Sequence, residues 1–389
     1  MFTRGSGREP LFDGRRLARD WNIIVVTINY RLGMLGFVDF SCLNDGWVAN
    51  PGLHDVVCAL RWVHDNIAAF GGDPDTITAA GESAGGSLVS LLPVLEDAGP
   101  LLSRMVMMSG IPTGLLPEAV EQQMVHDFLD EHHMSCAEDL LRYSDAQLVA
   151  LAPAFIRRGG LGAGTFQPTV DGRFLKDFPI NLVYRGSYRP VPMLIGNTRD
   201  ELSVLESPLL RRHWNMGSIV ENGIAQEDAT VRDAIAALYT QHYARGEGQV
   251  QLVTDMIFRT ASLFYAEAAS RASPVWLYRF DLRPAPMRAA RLGAVHSSDL
   301  PLIFGNLRQG IGRMMFLGTH DLSRVRALSH DMQQDLVQFL RTGELAWPRV
   351  SSDAPIARAY DIPSRLVEFI PHDIYEWYRK TSYYRMNMQ

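Results

Sequence analysis

The chain has 389 residues, 47% of them hydrophobic and 21% charged, which is an ordinary globular composition and long enough for one large core. A formal net charge of -6, with the arginines spread along the chain, excludes a basic surface for nucleic acid or an anionic membrane. No apolar run reaches the roughly 18 residues of a spanning helix. The cysteines Cys42, Cys58 and Cys136 are too few and uneven for a disulfide framework and weakly favour a reducing compartment such as the cytoplasm.

Strands and amphipathic helices alternate from the start of the chain. The β-branched run 23–30 predicts a strand buried on both faces. Residues 52–70 carry an apolar stripe at helical spacing, and Gly71 marks the end of that helix. Residues 77–81 predict the next buried strand, and the chain then enters a helix from 85 to about 92.

The same alternation continues to the end of the chain. Further strands are predicted at 104–110, 191–198 and 275–282, and further helices at 116–133 and 328–340. Strands separated by long helical connections form mostly parallel sheets with helices on both faces. We therefore expect an α/β fold, in a single domain over residues 1–389.

Ser83 lies in the stretch G-E-S-A-G, where the strand 77–81 turns into the following helix. The small flanking residues permit a sharp, strained turn that projects the serine hydroxyl off the carboxyl edge of the sheet. The amino end of the new helix directs its N–H groups to the same place. These features indicate a nucleophile, although an ordinary serine at a helix N-cap would have similar neighbours.

A serine nucleophile needs a histidine base and a carboxylate that orients it, and after an elbow serine these follow in the order acid, then histidine. His296 follows the strand 275–282, in a loop that has small residues before it and an apolar segment after it. Asp200 and Glu201 follow the strand 191–198. The residue pattern alone does not choose between the two acids.

The remaining histidines are weaker candidates. His54 and His64 precede the serine and lie on the helix 52–70. His132 and His133 lie in a polar helical segment, where a solvated surface is a better interpretation than a metal site because no further ligands are found. We expect neither metal nor cofactor. No telling surroundings distinguish the others, which are His126, His213, His242, His320, His330 and His372.

Several longer stretches together resemble the type B carboxylesterases, the cholinesterase-like branch of the α/β hydrolases. They run in the right order through nearly the whole chain: NYRLGMLGF, LHDVVCALRWVHDNIAAFGGDP, GESAGG, MMSG, PTVDG, IGNTRDE, GAVHSSDLP with IFGN, and RTGELAWP. The resemblance implies an α/β-hydrolase fold and a serine hydrolase. Such an enzyme cleaves small-molecule carboxylic esters through an acyl-enzyme intermediate.

The resemblance also assigns the site residues. Ser83 matches the nucleophile, His296 the base, and Glu201 the acid, as the second acid of a G-x-x-x-D-E motif. The N–H of Ala84, which follows the serine, matches one donor of the oxyanion hole. Two positions match residues that line the family's site, namely Glu82 and Ser109.

The family's His-Gly-Gly-Gly oxyanion loop has no counterpart in the sequence. The first residues, FTRGS and then FDG, match the stretch that follows this loop in the family. We therefore expect an N-terminally truncated form that also lacks the strand between 23–30 and 77–81, so that these two strands lose their ladder partners or close up. A non-catalytic binding module and an inactive fragment are the alternative hypotheses.

Overall fold

The computed structural model describes residues 2–44, 46–159, 165–206, 227–244, 247–318, 322–351 and 355–381. The strands are β1 (Thr78–Glu82), β2 (Arg104–Met108), β3 (Leu116–Pro117), β4 (Thr169–Val170), β5 (Met193–Thr198), β6 (Val275–Phe280), β7 (Ile356–Tyr360) and β8 (Arg365–Glu368). Six of them form one sheet in the order β1-β2-β5-β6-β7-β8, and only β8 is antiparallel to its neighbour. The strands β3 and β4 form a separate parallel pair.

Helices cover both faces of the sheet. They are α1 (Arg15–Trp21), α2 (Met34–Phe37), α3 (Pro51–Asn66), α4 (Ala84–Leu91), α5 (Glu118–Glu131), α6 (Ala137–Leu141), α7 (Asp145–Gly159), α8 (Pro179–Tyr184), α9 (Ala229–His242), α10 (Gly248–Thr254), α11 (Thr260–Ser270), α12 (Ala285–Ala289), α13 (Leu300–Ile303), α14 (Gly310–Met315), α15 (Ser323–Thr342) and α16 (His372–Lys380). Met105 and Met107 of β2 pack in one core with α3, α4 and α11, while the alternate side chains Val106 and Met108 pack in another with α13 and α15. The α/β prediction is confirmed.

Most predicted elements have their counterparts in the structure. The helix predicted at 52–70 is α3 followed by a 3-10 turn, and Gly71 ends it with a φ of 82°. The strands predicted at 104–110, 191–198 and 275–282 are β2, β5 and β6, and the helices predicted at 116–133 and 328–340 are α5 and α15. Within the described ranges, no helix combines the length and the apolar character needed to cross a membrane.

The strand predicted at residues 23–30 is wrong. This segment joins no ladder with another described strand, and its Ile24 and Val26 side chains are 46% and 45% exposed. The prediction of a buried strand at 77–81 is also wrong in its burial, since β1 is a half-buried edge strand. Both segments have strand-forming residues, but a strand is stabilised by hydrogen bonds to a neighbour, and within the described ranges β1 has such a neighbour only in β2.

Within the described residues, the two segments do not pair with each other in one ladder. In the described part of the chain, β1 is hydrogen-bonded to a neighbouring strand on one side only, and the open side of a strand is the usual template for association with another strand.

The parallel strands bring their carboxyl ends to one edge of the sheet. Glu82 pairs in register with Met108, and Met108 with Gly196. Ser83 follows β1, Ser109 follows β2, and Glu201 comes shortly after β5. This shared edge is where ligands bind in open α/β sheets generally.

Candidate active site

Ser83 lies at a sharp turn between β1 and α4, as the sequence predicted. Its backbone has φ 55° and ψ -120°, and its N–H donates to the Met108 carbonyl at 2.9 Å. A side chain at Gly81 would bring its Cβ within 2.2 Å of the Gly85 carbonyl oxygen. The turn therefore requires a glycine at that position, and it holds Ser83 at a positive φ, in a sparsely populated backbone region that costs about 1–3 kcal/mol.

Glu201 and His296 form a close pair. His296 Nδ1 lies 2.6 Å from Glu201 Oε2. The other oxygen, Oε1, accepts hydrogen bonds from Ser109 Oγ at 2.6 Å and from the Thr198 N–H at 2.7 Å. Because both oxygens of the wholly buried Glu201 have partners, the carboxylate has one orientation and fixes the imidazole beside it.

The charges in this pair shift both pKa values. Burial alone raises the pKa of Glu201, but the His296 charge and the hydrogen bonds from His296, Ser109 and Thr198 outweigh burial, so that the pKa lies below its ordinary value. Burial lowers the pKa of His296, but the charges of Glu82 and Glu201 outweigh it and raise this pKa to about 9. The imidazolium form is thus strongly stabilised in the site.

Asp200 does not contact His296. Its Oδ1 accepts from the Gln251 side-chain amide at 2.6 Å, and its Oδ2 accepts from the Ala294 N–H at 2.9 Å. Glu201 therefore contacts the histidine, whereas Asp200 bonds to other groups. This difference distinguishes two acids between which the residue pattern did not choose.

Glu82 lies on the other side of the imidazole. Its Oε1 is 3.3 Å from His296 Nε2 and accepts a hydrogen bond from Ser297 Oγ at 2.6 Å. Burial raises the pKa of Glu82, and the opposing effects of His296 and Ser297 do not cancel this. Because Glu82 directly precedes Ser83, this contact connects the elbow to the loop that carries the histidine.

In the described part of the chain, no hydrogen bond joins Ser83 Oγ to His296; the neighbour of Nε2 is Glu82 instead. Such catalytic hydrogen bonds are often loose without substrate and tighten only in the reacting complex. Ala84 is the first residue of α4. Its N–H therefore belongs to the helix-terminal donors that have no partner within the helix.

Sequence reasoning missed Asp299 and Ser297. Asp299 is wholly buried, accepts from Tyr278 Oη at 2.8 Å, and has a pKa raised to about 7 by burial first and by the charge of Glu82 second. The signal was the polar run HSSD, which contains the imidazole, the Ser297 hydroxyl that donates to Glu82, and the buried Asp299.

The other histidines form no alternative site in the described chain. No group of three or more His, Cys, Asp or Glu side chains there could hold a metal ion, and this includes the surroundings of His132 and His133. His213 and His320 lie outside the described residues.

Residues 1–355 match the model of the carboxylesterase family. The chain belongs to the carboxylesterase family. It is 34% identical to the para-nitrobenzyl esterase of Bacillus subtilis (strain 168) over 89% of this chain and 71% of that protein.

Solved structures agree with the family and the fold. A thermophilic PNB esterase superposes with a TM-score of 0.84 at 29% identity, over 97% of this chain and 78% of that one. A carboxylesterase of Geobacillus stearothermophilus at pH 6.2 gives 0.79 at 30% identity, over 96% and 79%. The α/β-hydrolase fold, the family and the serine ester-hydrolase class predicted from the sequence are confirmed.

Proposed function

We propose that this chain hydrolyses small-molecule carboxylic esters with Ser83 as nucleophile, His296 as base and Glu201 as the acid that orients the base. The observation that carries the proposal is the 2.6 Å pair between the buried Glu201 and His296, which Glu82 connects to the Ser83 turn. The family supports it, since the named relatives are esterases.

The reaction begins when Ser83 Oγ attacks the ester carbonyl carbon and transfers its proton to His296 Nε2. Glu201 accepts from Nδ1, holds the tautomer that leaves Nε2 free, and stabilises the imidazolium. His296 then gives the proton to the departing alkoxide, and the acyl group stays on Ser83. Water then attacks the acyl group, gives its proton to His296, and releases the acid as the proton returns to Ser83 Oγ.

The carbonyl oxygen becomes negatively charged during each attack. The Ala84 N–H, at the start of α4, is the donor that we assign to this oxygen. The positive end of the helix dipole lies at the same point and also stabilises the negative charge. Each additional donor at an oxyanion is worth about 10²–10³ in kcat. We further propose that residues 1–389 act as one domain, which the single six-stranded sheet β1-β2-β5-β6-β7-β8 supports.

The test compares Ser83→Ala with the unchanged protein on a simple aryl ester. We expect Ser83→Ala to abolish hydrolysis and to remove labelling by a fluorophosphonate probe, because no other residue takes the place of Oγ. Ser90→Ala is the matched control, since Ser90 lies wholly buried on the same helix and bonds to the Ser87 carbonyl. Equal hydrolysis by Ser83→Ala would remove Ser83 from the mechanism, and an inert but folded protein would support a binding module instead.

A further inference from the structure

A buried network outside the Ser83, His296 and Glu201 set begins at a π-helical turn, Asp255–Arg259, between α10 and α11. In this turn the Thr260 N–H donates to the Asp255 carbonyl, one residue further than in an α-helix. Single π-turns within helices frequently occur at functional sites. The Asp255 and Arg259 side chains are wholly buried and form an ion pair, with 2.7 Å between Oδ1 and Nη1.

Arg259 fixes the orientation of a buried amide. Its Nη2 donates to Gln251 Oε1 at 2.8 Å and to the Arg199 carbonyl at 2.7 Å. Because the guanidinium takes the amide oxygen, the amide nitrogen of Gln251 must point away from it. That nitrogen donates to Asp200 Oδ1 at 2.6 Å. A cation at one end of the amide and a carboxylate at the other leave only one orientation.

Asp200 in turn joins two loops. Its Oδ2 accepts from the Ala294 N–H at 2.9 Å, and its own N–H donates to the Ala294 carbonyl at 3.0 Å. Next along the chain, the His296 N–H donates to the Glu201 carbonyl at 3.0 Å. Gly293 permits this approach, since a Cβ there would lie 2.2 Å from Asp200 Oδ2. The acid loop and the histidine loop are thus paired residue by residue.

The same π-turn also contacts the imidazole itself. The Phe258 ring centroid is 5.2 Å from that of His296, with the planes tilted by 47°. The turn is therefore connected to the histidine in two independent ways. Phe258 packs against the imidazole, and Arg259 is linked to Ala294 in the histidine loop through the hydrogen bonds of Gln251 and Asp200.

We infer that Gln251 and Asp200 are positioning residues that hold the His296 loop at the distance from Glu201 at which the imidazole is oriented to take the Ser83 proton. The inference rests on the proposed function of that pair. Without the Gln251 donor, Asp200 Oδ1 is left buried and unpaired, and the nearest cation is Arg199 Nε at 3.9 Å. A turn of the carboxylate toward Arg199 would break its bond to the Ala294 N–H and loosen the histidine loop.

The experiment replaces Gln251 by methionine, which has a similar length and no amide. We expect kcat on a simple aryl ester to fall about 10- to 100-fold per folded molecule, since misplacements near 1 Å cost about that much. KM should stay within about twofold, because the buried Gln251 acts on His296 through Asp200 and not on the bound ester. The low-field proton resonance of His296 Nδ1–H should move upfield or broaden. Gln333→Met is the control, because Gln333 is a buried glutamine on α15 that bonds to Trp21 and Leu302.

The control variant should lose stability and keep both kcat and the resonance. A purely structural role for Gln251 would give the same result in Gln251→Met, and that outcome overturns the inference. The combination with Asp200→Ala adds a second criterion, since two residues that act through one contact give effects that do not multiply. Multiplying effects would also overturn it.

If Gln251→Met does not fold, Gly293→Ala perturbs the same contact from the other loop, and an unchanged resonance in that variant refutes the inference. The resonance is independent of turnover. A protein without Ser83-dependent hydrolysis, but with a resonance that shifts in Gln251→Met, would therefore refute the proposed function and retain the positioning role.

Discussion

Replacement of Glu82 by glutamine should move the pH dependence of hydrolysis to lower pH. Glu82 Oε1 lies 3.3 Å from His296 Nε2, and its negative charge is the largest of the influences that raise the pKa of this histidine, to about 9. The base must be neutral to accept the Ser83 proton. Activity should therefore increase with pH as the imidazolium loses its proton, and removal of the Glu82 charge lowers the pH at which this occurs.

The size of the shift follows from the distance. Two unit charges 3.3 Å apart interact with about 1 kcal/mol in water and about 5 kcal/mol at an effective dielectric constant near 20. Each 1.36 kcal/mol corresponds to about one pKa unit. The His296 and Glu82 side chains are 25% and 10% exposed, so water screens the pair in part. We expect a shift of about 1–2 units toward lower pH.

The assay is the pH profile of kcat/KM for an aryl ester, from about pH 5 to 10, a range that brackets the raised pKa of His296. Glu82→Gln should move the acid limb of the profile to lower pH. It should also lower the plateau value of kcat/KM, because Glu82 stabilises the imidazolium that forms during attack. The introduced amide keeps an oxygen that can accept from Ser297, so the loop retains its contact. Glu96→Gln serves as the control, since Glu96 is exposed and bonds to Lys176. An acid limb that stays in place, or moves upward, refutes the assignment of Glu82 as the group that raises the His296 pKa.

Two further predictions concern stability. Burial raises the pKa of Glu121 to about 8, so the folded state retains a proton that the unfolded state releases near pH 4.5. This difference contributes stability that is fully present below pH 4.5 and is lost as the pH rises through 8. Glu121→Gln, neutral throughout and still able to accept from the Asp39 N–H, should therefore flatten the fall of Tm between about pH 5 and 8, whereas parallel curves would contradict this. Gly81→Ala should cost several kcal/mol or prevent folding, because its Cβ would lie 2.2 Å from the Gly85 carbonyl oxygen. Gly85→Ala, whose Cβ would meet no atom within 4 Å, should change stability by less than about 1 kcal/mol, and similar losses in both variants would argue against this account of the turn.

Local patterns in the sequence predicted most helices and the strands β2, β5 and β6, because the hydrophobic period of a helix or a buried strand is written in consecutive residues. The G-E-S-A-G stretch similarly predicted the Ser83 turn, since small residues at fixed offsets are what a sharp strand-to-helix turn requires. The residue pattern also singled out His296, and the resemblance to a known family chose Glu201 over Asp200.

Long-range contacts decided the rest. Residues 23–30 have every local property of a buried strand, yet they join no described ladder, because a ladder depends on a neighbour and not on the strand itself. Tertiary structure also determined that Glu201 contacts His296 while Asp200 bonds to Gln251 and Ala294. The sequence by itself determined which residues could carry the chemistry. Only the packing of distant segments decided their partners and their charges, because a pKa or a hydrogen bond depends on groups that are remote in the chain and adjacent in space.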